Sequence, residues 1–223
     1  EELPKGFMSV RTGKRSFSWR PDKGASLTYV TALDSGDPSK KVDFRDEVYE
    51  LNHPFSGKGK FILKTINRFS GIDWGTKDMA IAYDTWWNTR NRKSYVFNPS
   101  NPNIKPKIIS DRNYQDTYSD PGNFLKSRNE FNRSVLKMHS GNIFLRGQGF
   151  SPNGQFPFID KVNTKTFKKT RVYQSSYTDK IESIIDYDPK KNQLTVSIES
   201  PSEYPNYYTC LLYTSPSPRD RVR

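Results

Sequence analysis

The chain has 223 residues and a formal net charge of +12 at pH 7, with 33% hydrophobic and 14% aromatic residues. A chain of this length can bury a core as one or two domains, but aromatic rings must supply much of that core. It has no apolar run of about 18 residues, the length that a membrane-spanning helix needs. Its single cysteine, Cys210, excludes a disulfide framework and a cysteine metal site.

Short strands separated by turn residues account for the first half of the chain. Alternating apolar residues predict strands at 15–19, 27–33, 44–51 and 60–64. The stretch 71–97 reads as three further strands joined by two tight turns. We predict no helix longer than one turn.

One pattern recurs four times along the chain. A large apolar residue is followed by a turn of Pro, Asp, Gly or Asn and then by an alternating strand, and the leading residues are Trp19, Trp74, Met138 and Tyr187. Their spacing, roughly 50 to 65 residues, slightly exceeds that of four-stranded propeller blades. Because a blade cannot bury its apolar faces alone, it must stack on neighbouring blades. The sequence therefore predicts an all-β fold: a partial β-propeller of about four consecutive four-stranded antiparallel blades in an incomplete ring.

The domain organisation follows from this repeat. We predict a partial β-propeller over residues 1–209, with blades near 11–66, 67–110, 124–175 and 178–209. Residues 111–134 lack periodicity and are rich in Asp, Asn and Ser, so we predict a loop insertion there.

Both ends of the chain suggest a fragment. The stretch Cys210–Asp220 resembles a translated sequencing adapter, so we expect residues 210–223 to be a non-native, disordered tail. The chain opens without an initiator Met or a signal peptide. We expect it to come from a longer protein whose compartment this segment does not reveal; a bacterial periplasmic or secreted parent is one option.

Several segments resemble a known peptidase family. Trp19–Gly24 is similar to the aromatic, Pro-Asp-Gly turn of propeller blades in the prolyl oligopeptidase family of serine peptidases. Further segments resemble the propeller of bacterial relatives of chloroplast glutamyl peptidases: Tyr83–Asn91, Val96–Pro102, Ile109–Asp116 and Glu199–Tyr208. The resemblance covers almost all of residues 1–208. It implies a parent with an α/β-hydrolase domain that carries a Ser, Asp and His triad and cleaves peptides, with a preference for Glu.

Catalytic residues are not expected in this segment. The nucleophile motif Gly-x-Ser-x-Gly is absent, and its nearest counterpart, Gly149–Gly154, has the second glycine one residue late. Pro152 also removes a backbone N–H that this motif uses in the oxyanion hole. We interpret this loop as a β-turn and the two histidines, His53 and His139, as solvated turn residues.

The candidate site residues are three arginines in the most distinctive predicted loops. The resemblance implies a propeller that gates access to the active site and whose blade-end loops help to bind substrate. Since a planar guanidinium matches a carboxylate well, Arg90, Arg92 and Arg112 are candidates for binding a substrate Glu. The alternative is that they are surface charges stacked on neighbouring aromatic rings.

Other functions are less well supported by the sequence. Lys and Arg are spread over all predicted elements without a recognition motif, so we expect no nucleic-acid partner. We expect no metal and no cofactor. A glycosidase would need facing carboxylates, for which Asp73, Asp186 and Glu199 are the candidates. The main alternative to a peptidase propeller is a stand-alone propeller that binds a protein or glycan partner.

Overall fold

The computed structural model describes residues 6–212. Within these residues every regular element is a β-strand, and none is a helix that could span a membrane. The predicted all-β fold is confirmed, and its successive open antiparallel sheets are consistent with a partial propeller. Two compact units form: one contains residues up to Asp116 together with Lys126–Leu136, and the other contains Thr117–Leu125 together with the chain from Lys137 onwards.

The first sheet belongs to the first unit and pairs its strands in chain order. Its strands are β1 (Arg15–Trp19), β2 (Ser26–Ala32), β3 (Asp46–Asn52) and β4 (Lys60–Thr65). All pairs are antiparallel, and each strand pairs with the next strand along the chain. A bulge between Arg15 and Ser18 interrupts the pairing of β1, which is an edge strand within the described residues.

The second sheet has the same order and the same number of strands. Its strands are β5 (Arg68–Thr76), β6 (Met79–Trp86), β7 (Asn91–Phe97) and β8 (Lys107–Asn113). Register is regular between β6 and β7, where Ala82 lies opposite Tyr95.

Apolar side chains from these two sheets form one core. Alternation along each strand directs every second side chain to the shared face. The buried members are Val30, Val48, Ile62 and Leu63 from the first sheet and Trp74, Ala80, Ala82, Tyr95 and Phe97 from the second. The opposite face of the first sheet carries a smaller cluster, in which the rings of Tyr29 and Tyr49 stack at 5.3 Å. The large rings that the composition predicted do fill this core.

A buried ion network joins the strands of the first unit at one end. Arg68 on β5 donates to both carboxylate oxygens of Asp34, at 2.9 and 2.7 Å, and lies 3.2 Å from Asp46. Arg45 pairs with Asp34 at 2.8 Å, and Arg15 pairs with Asp46 at 2.6 Å. Because buried carboxylates must be paired, these contacts fix the β2–β3 loop against the start of β5.

The predicted insertion, 111–134, is not a continuous loop, and this corrects the prediction. Its first residues complete β8, and it also contains the short strands β9 (Asn123–Phe124) and β10 (Lys126–Arg128). Strand β10 pairs with β11 (Ser134–Leu136) as a hairpin of the first unit. The side chain of Asn129 builds its turn by accepting from the backbone of Phe131 and Arg133. Such local side-chain bonds leave no apolar period in the sequence.

The second unit begins with a five-stranded sheet. Strands β12 (Met138–His139), β13 (Asn142–Gly147), β16 (Phe158–Asn163) and β17 (Lys169–Gln174) lie side by side, and β9 also pairs with β13. Between β13 and β16 the chain forms a separate small hairpin of β14 (Phe150–Ser151) and β15 (Gly154–Gln155).

A fourth sheet packs on the third within the second unit. It contains β18 (Ile181–Asp188), β19 (Gln193–Ser200) and β20 (Glu203–Leu211). The shared core consists of Leu125, Phe144, Ile159, Ile184, Tyr187, Leu194 and Val196. Cys210 and Leu211, the start of the predicted tail, end β20, whereas residues 213–223 lie outside the described residues.

The four leading residues of the sequence repeat differ in burial. Trp74 and Tyr187 are in the two cores, and Met138 is half-buried. Trp19, in contrast, is 55% exposed, and its ring meets the edge of Phe55 at 5.7 Å. The repeat therefore marks equivalent turns, but it does not mark equivalent core positions.

Candidate functional site

The candidate site lies at one end of the second sheet, where the turn between β6 and β7 carries Arg90. The guanidinium of Arg90 stacks on the ring of Trp87 at 3.6 Å and donates to the Trp87 carbonyl at 2.9 Å. Phe7 contacts the same indole, with ring centroids 4.8 Å apart. Arg90 has a φ of 54°, which its place at the end of the tight turn requires. Its side chain is thus engaged within its own turn.

Arg92 and Arg112 are opposite each other on neighbouring strands. They are direct partners in the register of β7 and β8, so both side chains are on the same face of the sheet. The Arg92 guanidinium lies over the ring of Tyr83 at 4.7 Å. The Tyr83 hydroxyl donates to Asp73 at 2.8 Å, and Lys126 pairs with the other oxygen of Asp73 at 2.6 Å. Burial raises the pKa of Tyr83, and the charge of Asp73 raises it further.

Backbone carbonyls at the end of β8 and just after it hold the Arg112 side chain in place. Nη1 of Arg112 donates to the carbonyls of Asn113 and Asp116, at 2.8 and 3.0 Å. The backbone N–H of Tyr114 donates to the Arg90 carbonyl at 2.8 Å and so ties this segment to the β6–β7 turn. The three arginines predicted from sequence are therefore brought together at one end of the second sheet, with Arg90 in the β6–β7 turn, Arg92 on β7 and Arg112 on β8.

The opposite face of the same strands carries a buried carboxylate that the sequence reasoning missed. Asp84 is fully buried and accepts from the Tyr95 hydroxyl at 2.5 Å, from both nitrogens of Asn67 at 2.9 and 3.0 Å, and from the Lys93 backbone at 3.3 Å. Burial raises the pKa of the Asp84 carboxyl above its usual value, and the hydrogen bonds offset only part of this rise. A lone Asp within the apolar run of β6 is the one sequence signal that could have identified it.

The edge of this end is completed by a second, exposed carboxylate. Lys93 pairs with Asp111 at 2.5 Å, and Asn91 donates to the same carboxylate at 2.7 Å. The hydrogen bond from Lys93 lowers the pKa of Asp111 most, and the hydrogen bond from Asn91 lowers it further. Asp111 is therefore committed to Lys93 and Asn91, while its neighbour Arg112 projects from the other face.

Three other residues that the sequence singled out, Ser151, His53 and Asp186, make structural contacts. Ser151 ends β14, and its hydroxyl donates to the Gly154 carbonyl at 3.0 Å, as in a hairpin turn. The ring of His53 meets Phe55 at 6.0 Å. Asp186 pairs with Lys137 at 2.6 Å, as Asp73 pairs with Lys126. Among residues 6–212 no group of three or more His, Cys, Asp or Glu side chains is arranged to hold a metal ion.

Two curated plant proteins are similar to this chain. The chain is 34% identical over 224 aligned residues to a rice (Oryza sativa subsp. japonica) protein named probable glutamyl endopeptidase, chloroplastic. It is 32% identical over 193 residues to the Arabidopsis thaliana protein of the same name. The alignments cover 93% and 83% of this chain but only 24% and 20% of the relatives. The chain thus spans about a quarter of the length of the curated relatives that it matches.

Comparison with family models and solved structures adds little. No family model matches the chain. An uncharacterized protein from Listeria monocytogenes EGD-e aligns over 95% of this chain and 58% of its own, with a TM-score of 0.44 and 11% sequence identity. At that score the structural likeness carries no argument. The sequence similarity to proteins named glutamyl endopeptidase is therefore what relates the chain to peptidases.

Proposed function

We propose that this chain is the propeller part of a serine peptidase similar to the prolyl oligopeptidase family that cleaves peptides after Glu. The propeller gates access and helps to bind the substrate for an α/β-hydrolase domain, which supplies the Ser, Asp and His triad. The observation that carries the proposal is the 34% identity to a probable glutamyl endopeptidase over 93% of this chain. The peptide substrate and the hydrolase domain are the proposed partners.

The arginine pair supports the part of the proposal that concerns Glu. Arg92 and Arg112 are direct cross-strand neighbours, and like charges in that arrangement repel each other. Two planar guanidinium groups on one face of the sheet could both donate hydrogen bonds to a substrate carboxylate. Arg90 lies outside this cross-strand pair, and its guanidinium both stacks on Trp87 and donates to the Trp87 carbonyl.

Substitution of the arginine pair in the full-length enzyme tests this proposal. We expect Arg92→Gln or Arg112→Gln to lower the ratio of kcat/KM for a Glu peptide to that for the matched Gln peptide by about tenfold or more, because each removes a charged hydrogen-bond donor. Lys77→Gln, on the exposed turn at the other end of the sheet, is the matched control and should leave the ratio unchanged.

The outcomes separate the competing functions. An unchanged ratio in both arginine variants would remove Arg92 and Arg112 from substrate recognition but leave the peptidase relation intact. A full-length protein that binds peptides or glycans without cleaving peptides would instead favour the stand-alone binding propeller.

A further inference from the structure

We propose that a concavity beside Trp19 on the first sheet binds a peptide carboxylate together with a neighbouring apolar side chain. The concavity is shallow, has a volume of about 380 Å³ and is lined by Trp19, Gly24, Ala25 and Arg133. All four residues belong to the first unit. The site lies on a different sheet from the Arg92–Arg112 pair, and its binding does not depend on the proposed peptidase function.

The cation of this site is held in position by the protein backbone. Nη1 of Arg133 donates to the carbonyls of Arg20 and Lys23, at 3.2 and 3.4 Å. The loop that carries it is tied to the same β1–β2 turn, because Asn129 donates to the Pro21 carbonyl at 2.8 Å. Within the described part of the chain, Nε and Nη2 of Arg133 have no hydrogen-bond partner. An exposed guanidinium that is fixed on one side and open on the other can bind a carboxylate with little loss of side-chain entropy.

The other cations of the turn are already neutralised. Arg20 is buried, pairs with Asp22 at 2.6 Å and stacks on Trp74. Lys23 pairs with Glu50 at 2.6 Å. The site therefore offers one available positive charge, which suits a single carboxylate. A nucleic acid backbone needs a track of such charges and is disfavoured.

The remaining walls suit an apolar group next to the carboxylate. The ring of Trp19 is 55% exposed and is supported from one side by the edge of Phe55. A Cβ atom at Gly24 would meet no other atom within 4 Å, so the space above the turn is open. An exposed, supported indole beside a small-residue floor gives an apolar surface on which a side chain can pack. The fitting ligand is an acidic residue flanked by an apolar one in an extended peptide.

Titration calorimetry of the 223-residue chain with acetyl-Phe-Glu-Phe-amide tests the proposal. The matched probe acetyl-Phe-Gln-Phe-amide lacks only the charge and should bind about tenfold more weakly or worse. Arg133→Gln should weaken binding of the Glu probe by a similar factor. The control Arg128→Gln changes an exposed arginine of the same hairpin, whose Nη1 donates to the Asn132 carbonyl, and should have no effect.

A second variant keeps the test independent of Arg133's contribution to folding. Gly24→Leu should fill the concavity and abolish binding without a backbone clash. The proposal would be overturned if the chain bound the Glu and Gln probes with equal affinity. It would also be overturned if Arg133→Gln or Gly24→Leu bound the Glu probe as tightly as the wild type, or if Arg128→Gln weakened binding as much as Arg133→Gln. Tighter, Arg133-dependent binding of a single-stranded oligonucleotide would also overturn it.

Discussion

At the scale of single residues, one buried carboxylate, Asp84, holds the connection between the first and second sheets in place. Asp84 accepts four hydrogen bonds, and two of these come from Asn67, in the connection between the first and second sheets. Burial of a carboxylate is costly unless such donors surround it. Asp84 therefore stabilises one arrangement of the β4–β5 connection while its own ionisation remains disfavoured.

The raised pKa of Asp84 predicts a specific pH dependence of stability. Its folded-state pKa lies above the ordinary value of 3.8, so the folded chain holds a proton that the unfolded chain has lost between these two pKa values. The free energy of unfolding contributed by Asp84 thus falls as the pH rises through this window. Asp84→Asn cannot titrate, and the stability of the wild type minus that of Asp84→Asn should decrease as the pH rises from about 4.

Urea denaturation of both proteins at a series of pH values measures this difference directly. Subtracting the variant cancels the groups that titrate in the other direction, such as Asp111, whose pKa is lowered. A difference that increases with pH would contradict the assignment.

At the scale of elements, tight turns in the second unit depend on backbone that only glycine adopts easily. Gly149 precedes the β14–β15 hairpin with a φ of 64°, and an added Cβ would lie 1.8 Å from the Phe156 carbonyl oxygen. Gly141, in the β12–β13 turn, has a similar φ of 70°, but a Cβ there would meet nothing within 4 Å. The two positions therefore separate backbone strain from steric clash.

We expect Gly141→Ala to cost about 1–2 kcal/mol of stability, the usual penalty for a left-handed non-glycine residue. Gly149→Ala should cost clearly more, because its methyl group also displaces the backbone at Phe156. Thermal unfolding followed by circular dichroism measures both. Equal losses in the two variants would show that the close approach at Gly149 is relieved without cost.

The core between the first two sheets predicts unequal roles for two tryptophans. Trp74 is 5% exposed and contacts the ring of Phe97 and the guanidinium of Arg20. We expect Trp74→Ala to lower the free energy of unfolding by about 3–5 kcal/mol, whereas Trp19→Ala, at an exposed position, should cost less than about 1 kcal/mol. Denaturant unfolding of the two variants gives the comparison, and a similar loss in both would contradict the observed burial.

Strand positions could be predicted from the sequence because alternation is a local property. The predicted strand 15–19 coincides with β1, and the other strands of the first sheet begin and end within two residues of the prediction. The exposure of Trp19 could not be predicted, since which face of β1 is covered depends on elements far along the chain. The contact of Arg68 with Asp34, across 34 residues, likewise leaves no pattern in the sequence.

The candidate site could be predicted only in part from the sequence. Arg90, Arg92 and Arg112 could be singled out because they lie in or directly beside the segments that resemble the peptidases, although Arg92 and Arg112 prove to be on strands and not in loops. Their mutual arrangement needed the register of β7 and β8, which apolar alternation does not specify to the residue. The concavity at Arg133 was not predictable, because a hairpin more than 100 residues downstream lines it.

At the scale of the whole molecule, each unit consists of antiparallel sheets that bury a shared core. This is how propeller blades are stabilised, because each blade contacts only its neighbours. The proposed function adds a hydrolase domain that such a scaffold would serve.

Cleavage of matched Glu and Gln peptides by the full-length protein, with product masses identifying the cut bonds, tests the central claim most directly. We predict cleavage on the carboxyl side of Glu and much slower cleavage of the Gln peptide. Absence of cleavage, or cleavage at both residues at equal rates, would contradict the proposal that this chain is part of a glutamyl peptidase.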